Sequence, residues 1–216
     1  MREGILSTQR VPRAPAYALA LVLGLVLSFS FSVNTAQSIN LHTVSASEIA
    51  RNKTIKVRNA LAHYIARRFH LRESTARAIT QQAYLAAQSN RVKPTLVLAI
   101  VAVESSYQPD AINTVSGARG LMQVLPRWHR RETERVGGKE ALLRIRPNIQ
   151  VGTEILAQYL RWERGRLAAA LGRYWGSVHC EVYVYKVKRQ LKHLNRVVKS
   201  ARDSNGMLFD EARTST

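Results

Sequence analysis

The sequence predicts a predominantly all-α fold, and three observations carry that expectation. Apolar residues recur at helical spacing in successive segments between Val57 and Val198. A proline suited to a first helical position, Pro94, opens the nearly continuous apolar run TLVLAIVAVES at Thr95–Ser105. No stretch shows the sustained two-residue alternation of a strand. The chain has 216 residues, of which 46% are apolar, a balance that suits one soluble core with room for a targeting segment and a tail.

Taken in order, residues 1–36 read as a secretory signal peptide. Arg2, Arg10 and Arg13 precede an apolar stretch from about Ala14 to Val33, and cleavage is expected near Ala36. The stretch is nearly long enough to span a bilayer, so an uncleaved anchor stays open as the second reading. Residues 37–56 are polar and read as a linker or helical lead-in. The domain itself is expected over 57–199. Its first helix carries Val57, Leu61, Tyr64, Ile65, Phe69 and Leu71 and ends near His70. A second covers Glu73 to Gln88, with Ala76, Ile79, Ala83 and Ala87 on one stripe and Ser74 as N-cap. The third, from Pro94 to Ser105, is apolar all round and therefore buried. Further helical signals run over Pro147–Tyr159, Leu160–Leu171 and Val182–Val198. Residues 200–216 are polar and read as a mobile tail.

The formal charge of +19, from 33 Lys+Arg against 14 Asp+Glu, predicts a surface that attracts polyanions. Residues 1–36 hold three Arg and one Glu, so nearly all of that charge belongs to the part that would be exported. Export turns the expectation away from nucleic acid and toward an acidic cell wall or the anionic face of a membrane. The charge concentrates at Arg127, Arg130, Arg131 and Arg135, and again between Lys186 and Lys199. Salt-sensitive binding to cell-wall sacculi is the expected consequence. Cys180 is the only cysteine, so no intrachain disulfide and no cysteine-based zinc site can form. The six histidines show no ligand spacing, and neither metal nor cofactor is expected.

Glu104 is out of keeping with its surroundings. It closes a helix that must be buried, where the negative end of the macrodipole and loss of solvent both raise a carboxyl's pKa. Such a group is a usable general acid near neutral pH. A polar loop with Pro109, Gly117 and Gly120 follows it, and loops held by rigid helices carry reactive groups. Asp110 reads as a turn residue, and Glu132, Glu134 and Glu140 lie farther on.

Glu104-Ser105-Ser106-Tyr107, Ala111, Gly117-Ala118-Arg119-Gly120-Leu121-Met122-Gln123 and Pro126 resemble the signature of lytic transglycosylases related to goose-type lysozyme. The resemblance continues through Asn148-Ile149, Gly152, Tyr159-Leu160, Arg173-Tyr174-Trp175-Gly176-Ser177 and a tyrosine-rich closing segment at Tyr183 and Tyr185, covering about Lys93 to Val187. It implies a lysozyme-like helical domain with a catalytic cleft that cuts peptidoglycan glycan strands. By that resemblance Glu104 protonates the oxygen linking N-acetylmuramic acid to N-acetylglucosamine and then takes the C6 hydroxyl proton of the same muramic sugar, leaving a 1,6-anhydro end. It further implies that Asn113, Gln123, Leu125 and Tyr174 bind substrate, with the Tyr174 hydroxyl near the catalytic acid. Gly117 and Gly120 are expected to serve close backbone approach or positive φ. Trp175 departs from the asparagine common in the family; its ring offers a face that could stack on a sugar.

A hydrolytic muramidase using the same glutamate, and a basic wall-binding adaptor on a decayed transglycosylase fold, remain as alternatives. A periplasmic location, membrane association through the N-terminal segment, and service to wall turnover or to an envelope-spanning secretion or conjugation machine complete the expectations.

Overall fold

A computed structural model describes residues 46–177 and 179–204. The chain divides into two compact units, 1–51 and 52–216. Of the first, only residues 46–51 are described, and they are helical. The apolar stretch assigned to a signal peptide or anchor, and residues 205–216 of the tail, lie outside the described residues. Among the described residues no helix is long and apolar enough to cross a membrane.

The described residues form a helical fold, and the only strand-like pairings among them are the isolated bridges Ile112–Arg119 and Arg119–Val124. Helix α1 spans 46–69 and buries Val57, Leu61, Ala62, Ile65 and Ala66, the stripe its spacing predicts. It stops where His70 turns left-handed, at φ 55°. Helix α2, Glu73–Asn90, buries Ala76, Ile79, Ala83 and Ala87. Ser74 is not its N-cap. That place falls to Arg72, which makes no side-chain cap, and Glu73 stands in the first turn, where the helix dipole favours an acid. The C-terminus closes on left-handed Arg91, and the Val92 N–H reaches back to the Ala87 carbonyl at 2.9 Å.

Helix α3, Pro94–Glu104, starts at its proline and buries every residue from Thr95 to Ala102. It packs against α2 on one side and against α7, Glu181–Asp203, on the other. Surrounded on all sides, it can be apolar at every helical angle. A short helix α4, Arg130–Arg135, and a 3-10 turn, Lys139–Leu143, lead into α5, Ile145–Trp162, which lies along α2.

The segment read as one helix over Leu160–Leu171 is broken. Arg164 and Gly165 adopt φ of 50° and 78°, and the Gly165 N–H returns to the Leu160 carbonyl at 2.8 Å. Helix α6 then begins at Leu167 and runs to Trp175. Buried Glu163 holds the corner by pairing with Arg166 at 2.7 Å and Arg173 at 2.5 Å, and the Arg173 guanidinium holds its carboxyl below the usual range. At the far end α7 continues to Asp203, past the boundary expected for the tail at residue 200, because Leu194, Val197, Val198 and Ala201 still pack on the core.

Candidate active site

Glu104 is the last residue of α3, and the chain turns sharply just after it. Ser106 and Tyr107 both take positive φ, 51° and 65°, without being glycine. Two hydrogen bonds sustain that strain. The Ser105 hydroxyl donates to the Leu121 carbonyl at 2.8 Å, and the buried Tyr107 hydroxyl donates to the Leu98 carbonyl at 3.0 Å. Tyr107 also packs edge-on against Phe69, with ring centroids 4.7 Å apart. The residues following Glu104 thus fix where the helix stops, and with it the position of the carboxylate.

The carboxyl itself is partly buried, and the Tyr183 hydroxyl of α7 donates to its Oε1 at 2.6 Å. Burial pushes its pKa from an ordinary 4.5 to about 7, while the Tyr183 hydrogen bond pulls the other way. Because Tyr183 engages Oε1, Oε2 remains as the oxygen to carry a proton. Burial and the Glu104 charge together keep the Tyr183 hydroxyl protonated. Trp175, at the end of α6, stacks on the Tyr183 ring with centroids 4.8 Å apart and planes 21° from parallel. One face of the indole is therefore occupied by Tyr183, while the ring is still 52% exposed.

The loop from Ala111 to Val124 is tied down from below. Asn148 of α5 is fully buried; its Oδ1 accepts the Met122 N–H at 2.7 Å, and its Nδ2 donates to the Arg119 and Leu142 carbonyls, each at 2.8 Å. Gly120, at φ 71°, sits so close above it that a Cβ there would overlap the Leu142 carbonyl and the Asn148 side chain. The close approach expected of this glycine is to the protein's own support. Gly152 is also confined, since a Cβ would lie 2.6 Å from the Met122 sulfur. The Asn…Gly spacing of the sequence is thus the underside of the Gly-Leu-Met-Gln turn.

Of the residues expected at the substrate, Gln123 and Tyr174 hydrogen-bond to the loop's own carbonyls, whereas Asn113 and Leu125 are exposed or partly exposed. The Gln123 Nε2 donates to the Ala111 and Gly120 carbonyls, at 3.2 and 3.0 Å, so its amide nitrogen braces the loop. The Asn113 Oδ1 accepts the Val115 and Ser116 N–H groups in a turn; the residue is exposed, and its Nδ2 is the group left to donate to a ligand. Leu125 is partly exposed beyond the turn. The Tyr174 hydroxyl donates to the Met122 carbonyl at 2.9 Å, joining α6 to the loop, while the Glu104 charge helps burial raise its pKa. The tyrosine bonded to the acid is Tyr183, to which the sequence lent no individual role. The available signal was its phase, since Tyr183, Val184 and Val187 share the buried face of α7 whereas Tyr185 points to solvent.

A helical domain that ends a buried central helix on one elevated carboxyl is the arrangement expected of the lysozyme-like class. The family model of the Transglycosylase SLT domain matches residues 65–179, and the chain belongs to that family. It is a transglycosylase-type, peptidoglycan-degrading domain whose substrate is peptidoglycan. The matched residues include Glu104 and the loop above Asn148 but stop short of α7 and Tyr183. A comparison with curated proteins finds no match.

Proposed function

We propose that the chain is a lytic transglycosylase that cleaves the β-1,4 bond between N-acetylmuramic acid and N-acetylglucosamine without water. One observation carries the reading: a partly buried carboxyl at the end of α3 whose pKa is raised to about 7 and whose Oε1 is hydrogen-bonded by Tyr183, with no second carboxylate contributing to its ionisation among the described residues. Glu104 Oε2 gives its proton to the glycosidic oxygen, and the C1–O bond of the muramic sugar breaks. The Tyr183 hydroxyl stabilises the carboxylate so formed. The sugar's own C6 hydroxyl attacks C1, held near it by the ring, and its proton returns to Glu104. The product is a 1,6-anhydro end, and the enzyme regains its starting protonation.

Mass spectrometry of muropeptides released from purified peptidoglycan tests this. Anhydro ends are expected; reducing ends carrying an added water would instead establish a hydrolytic muramidase. Asn113 Nδ2 and partly exposed Leu125 are the groups of the loop proposed to meet the glycan. The signal peptide and periplasmic location belong to the same proposal, and the N-terminal mass of the protein recovered from cells, beginning near residue 37 if cleaved, checks them. Service to a secretion or conjugation machine would show as loss of that export in a deletion strain with wall turnover unaffected.

Tyr183→Phe removes the hydrogen bond that lowers the Glu104 pKa. The pKa then rises further above about 7, so the alkaline limb of the rate–pH profile moves to higher pH. The carboxylate formed during proton transfer also loses its donor, so kcat falls by about tenfold, in line with a hydrogen bond to a charged group. Trp175→Ala unstacks Tyr183 and costs roughly three- to tenfold in kcat, on the scale of one aromatic pair. Trp175→Phe keeps most of the activity, since a smaller ring can still stack.

A further inference from the structure

The outer face of α7 carries a line of exposed cations. Lys188, Lys192, Arg196 and Lys199 follow one another at intervals of three or four residues, with Arg189 beside Lys188, so the five share one side of the helix over about three turns, roughly 16 Å. The opposite side, through Tyr183, Val184, Val187 and Leu194, is buried. No acid occurs between Glu181 and Asp203, and among the described residues none of the five forms an ion pair. Elsewhere arginines do find carboxylates, as Arg119 does with Glu140 and Arg135 with Glu154.

Like charges at these spacings repel one another and weaken an isolated helix. An anionic partner that neutralises the row would relieve that cost. The face is the convex outer side of a helix, which suits a long repetitive polyanion rather than a small molecule. At its N-terminal end Tyr185 is 64% exposed, with the Arg189 guanidinium 6.0 Å from its ring centroid.

We infer that this face of α7 is an ancillary binding surface for peptidoglycan, on which the cations engage the carboxylates of the peptide stems while the glycan strand being cut lies at Glu104. The choice of polymer rests on the family's substrate and so on the functional reading above. The two positions are separate. Tyr183, which bonds Glu104, is on the opposite side of α7 from the cationic row, so the row meets a neighbouring part of the meshwork and keeps the enzyme at the wall between cleavages.

The test uses the full chain carrying Glu104→Gln, which holds substrate without cutting it, with and without Lys188→Gln, Lys192→Gln and Arg196→Gln together. Co-sedimentation with purified sacculi is followed across salt concentration, beside sacculi whose carboxyls have been converted to amides. The triple change is expected to weaken binding by roughly tenfold at low salt and to flatten its salt dependence, because three screened surface charges are lost. Amidated sacculi should reproduce that loss with the unaltered row. With Glu104 restored, the triple variant should cleave soluble glycan strands lacking peptides at the unaltered rate. Equal binding of both proteins to sacculi, or equal binding to amidated and native sacculi, overturns the inference. So does a row-dependent attachment to anionic phospholipid vesicles in the absence of any to sacculi. Failure of the intact enzyme to cleave soluble strands would instead overturn the functional reading and leave the binding result standing.

Discussion

Glu104→Gln is expected to cut the release of muropeptides by on the order of 10³-fold, the scale of a lost general acid and base. Glutamine keeps the shape of the side chain and can still meet the Tyr183 hydroxyl, but it has no proton to give to the glycosidic oxygen. The same substitution is expected to stabilise the fold at alkaline pH. The native carboxyl holds its proton up to about 7, whereas in the unfolded chain it ionises near 4.5. Between those values the native state binds more protons than the unfolded one, so this group's contribution to stability falls as pH rises through the window. Above it, the ionised, partly buried carboxylate costs the wild type about 3 kcal/mol that the glutamine variant avoids. Thermal melts at pH 5 and pH 8 would show the variant gaining on the wild type only at the higher pH. An inactive variant with no such pH-dependent gain would mean that the Glu104 pKa is not raised in the folded protein, and an active one would remove Glu104 from the chemistry.

Gly120→Ala is expected to destabilise the domain by about 3 kcal/mol or more, since the new methyl needs a backbone conformation that side chains disfavour and has no space to enter. Asn148 cannot move aside without abandoning the Met122 N–H and the two carbonyls it satisfies. A urea denaturation midpoint measures the loss. Gly117→Ala is the internal control: its φ of 78° carries the backbone strain, but nothing lies within 4 Å of the added atom, so the penalty should be about 1 kcal/mol. Similar losses at both glycines would mean that the packing over Asn148 does not hold the loop.

Much of this protein was legible before any coordinates, and for local reasons. The stripes of α1 and α2, the uniformly apolar α3 and the proline that starts it are properties of short windows whose period matches the helix that forms. The elevated acid was legible too, because an isolated carboxylate at the end of a buried helix has few ways to be comfortable. The break at Arg164–Gly165 was not, since it is enforced by a buried Glu163 whose arginine partners lie across the corner. Ser74 failed as a cap because the chain enters α2 two residues earlier than a side-chain rule would place it, at Arg72.

The site divides along the same line. That α3 is a buried helix ending on a lone acid followed by a glycine-containing loop is dictated by residues adjacent in sequence. Which tyrosine bonds that acid depends on residues 79 positions apart being brought together by the packing of α7 on α3, and no local pattern ranks Tyr183 above Tyr174. The same packing hands Tyr174 to the Met122 carbonyl, turns Gln123 inward to brace its own loop, and lays one face of Trp175 over Tyr183. Hydrophobic period and backbone preference act over a few residues and survive in the sequence, whereas hydrogen bonds between distant side chains are selected only once the helices have packed and each polar group has a small set of partners left within reach.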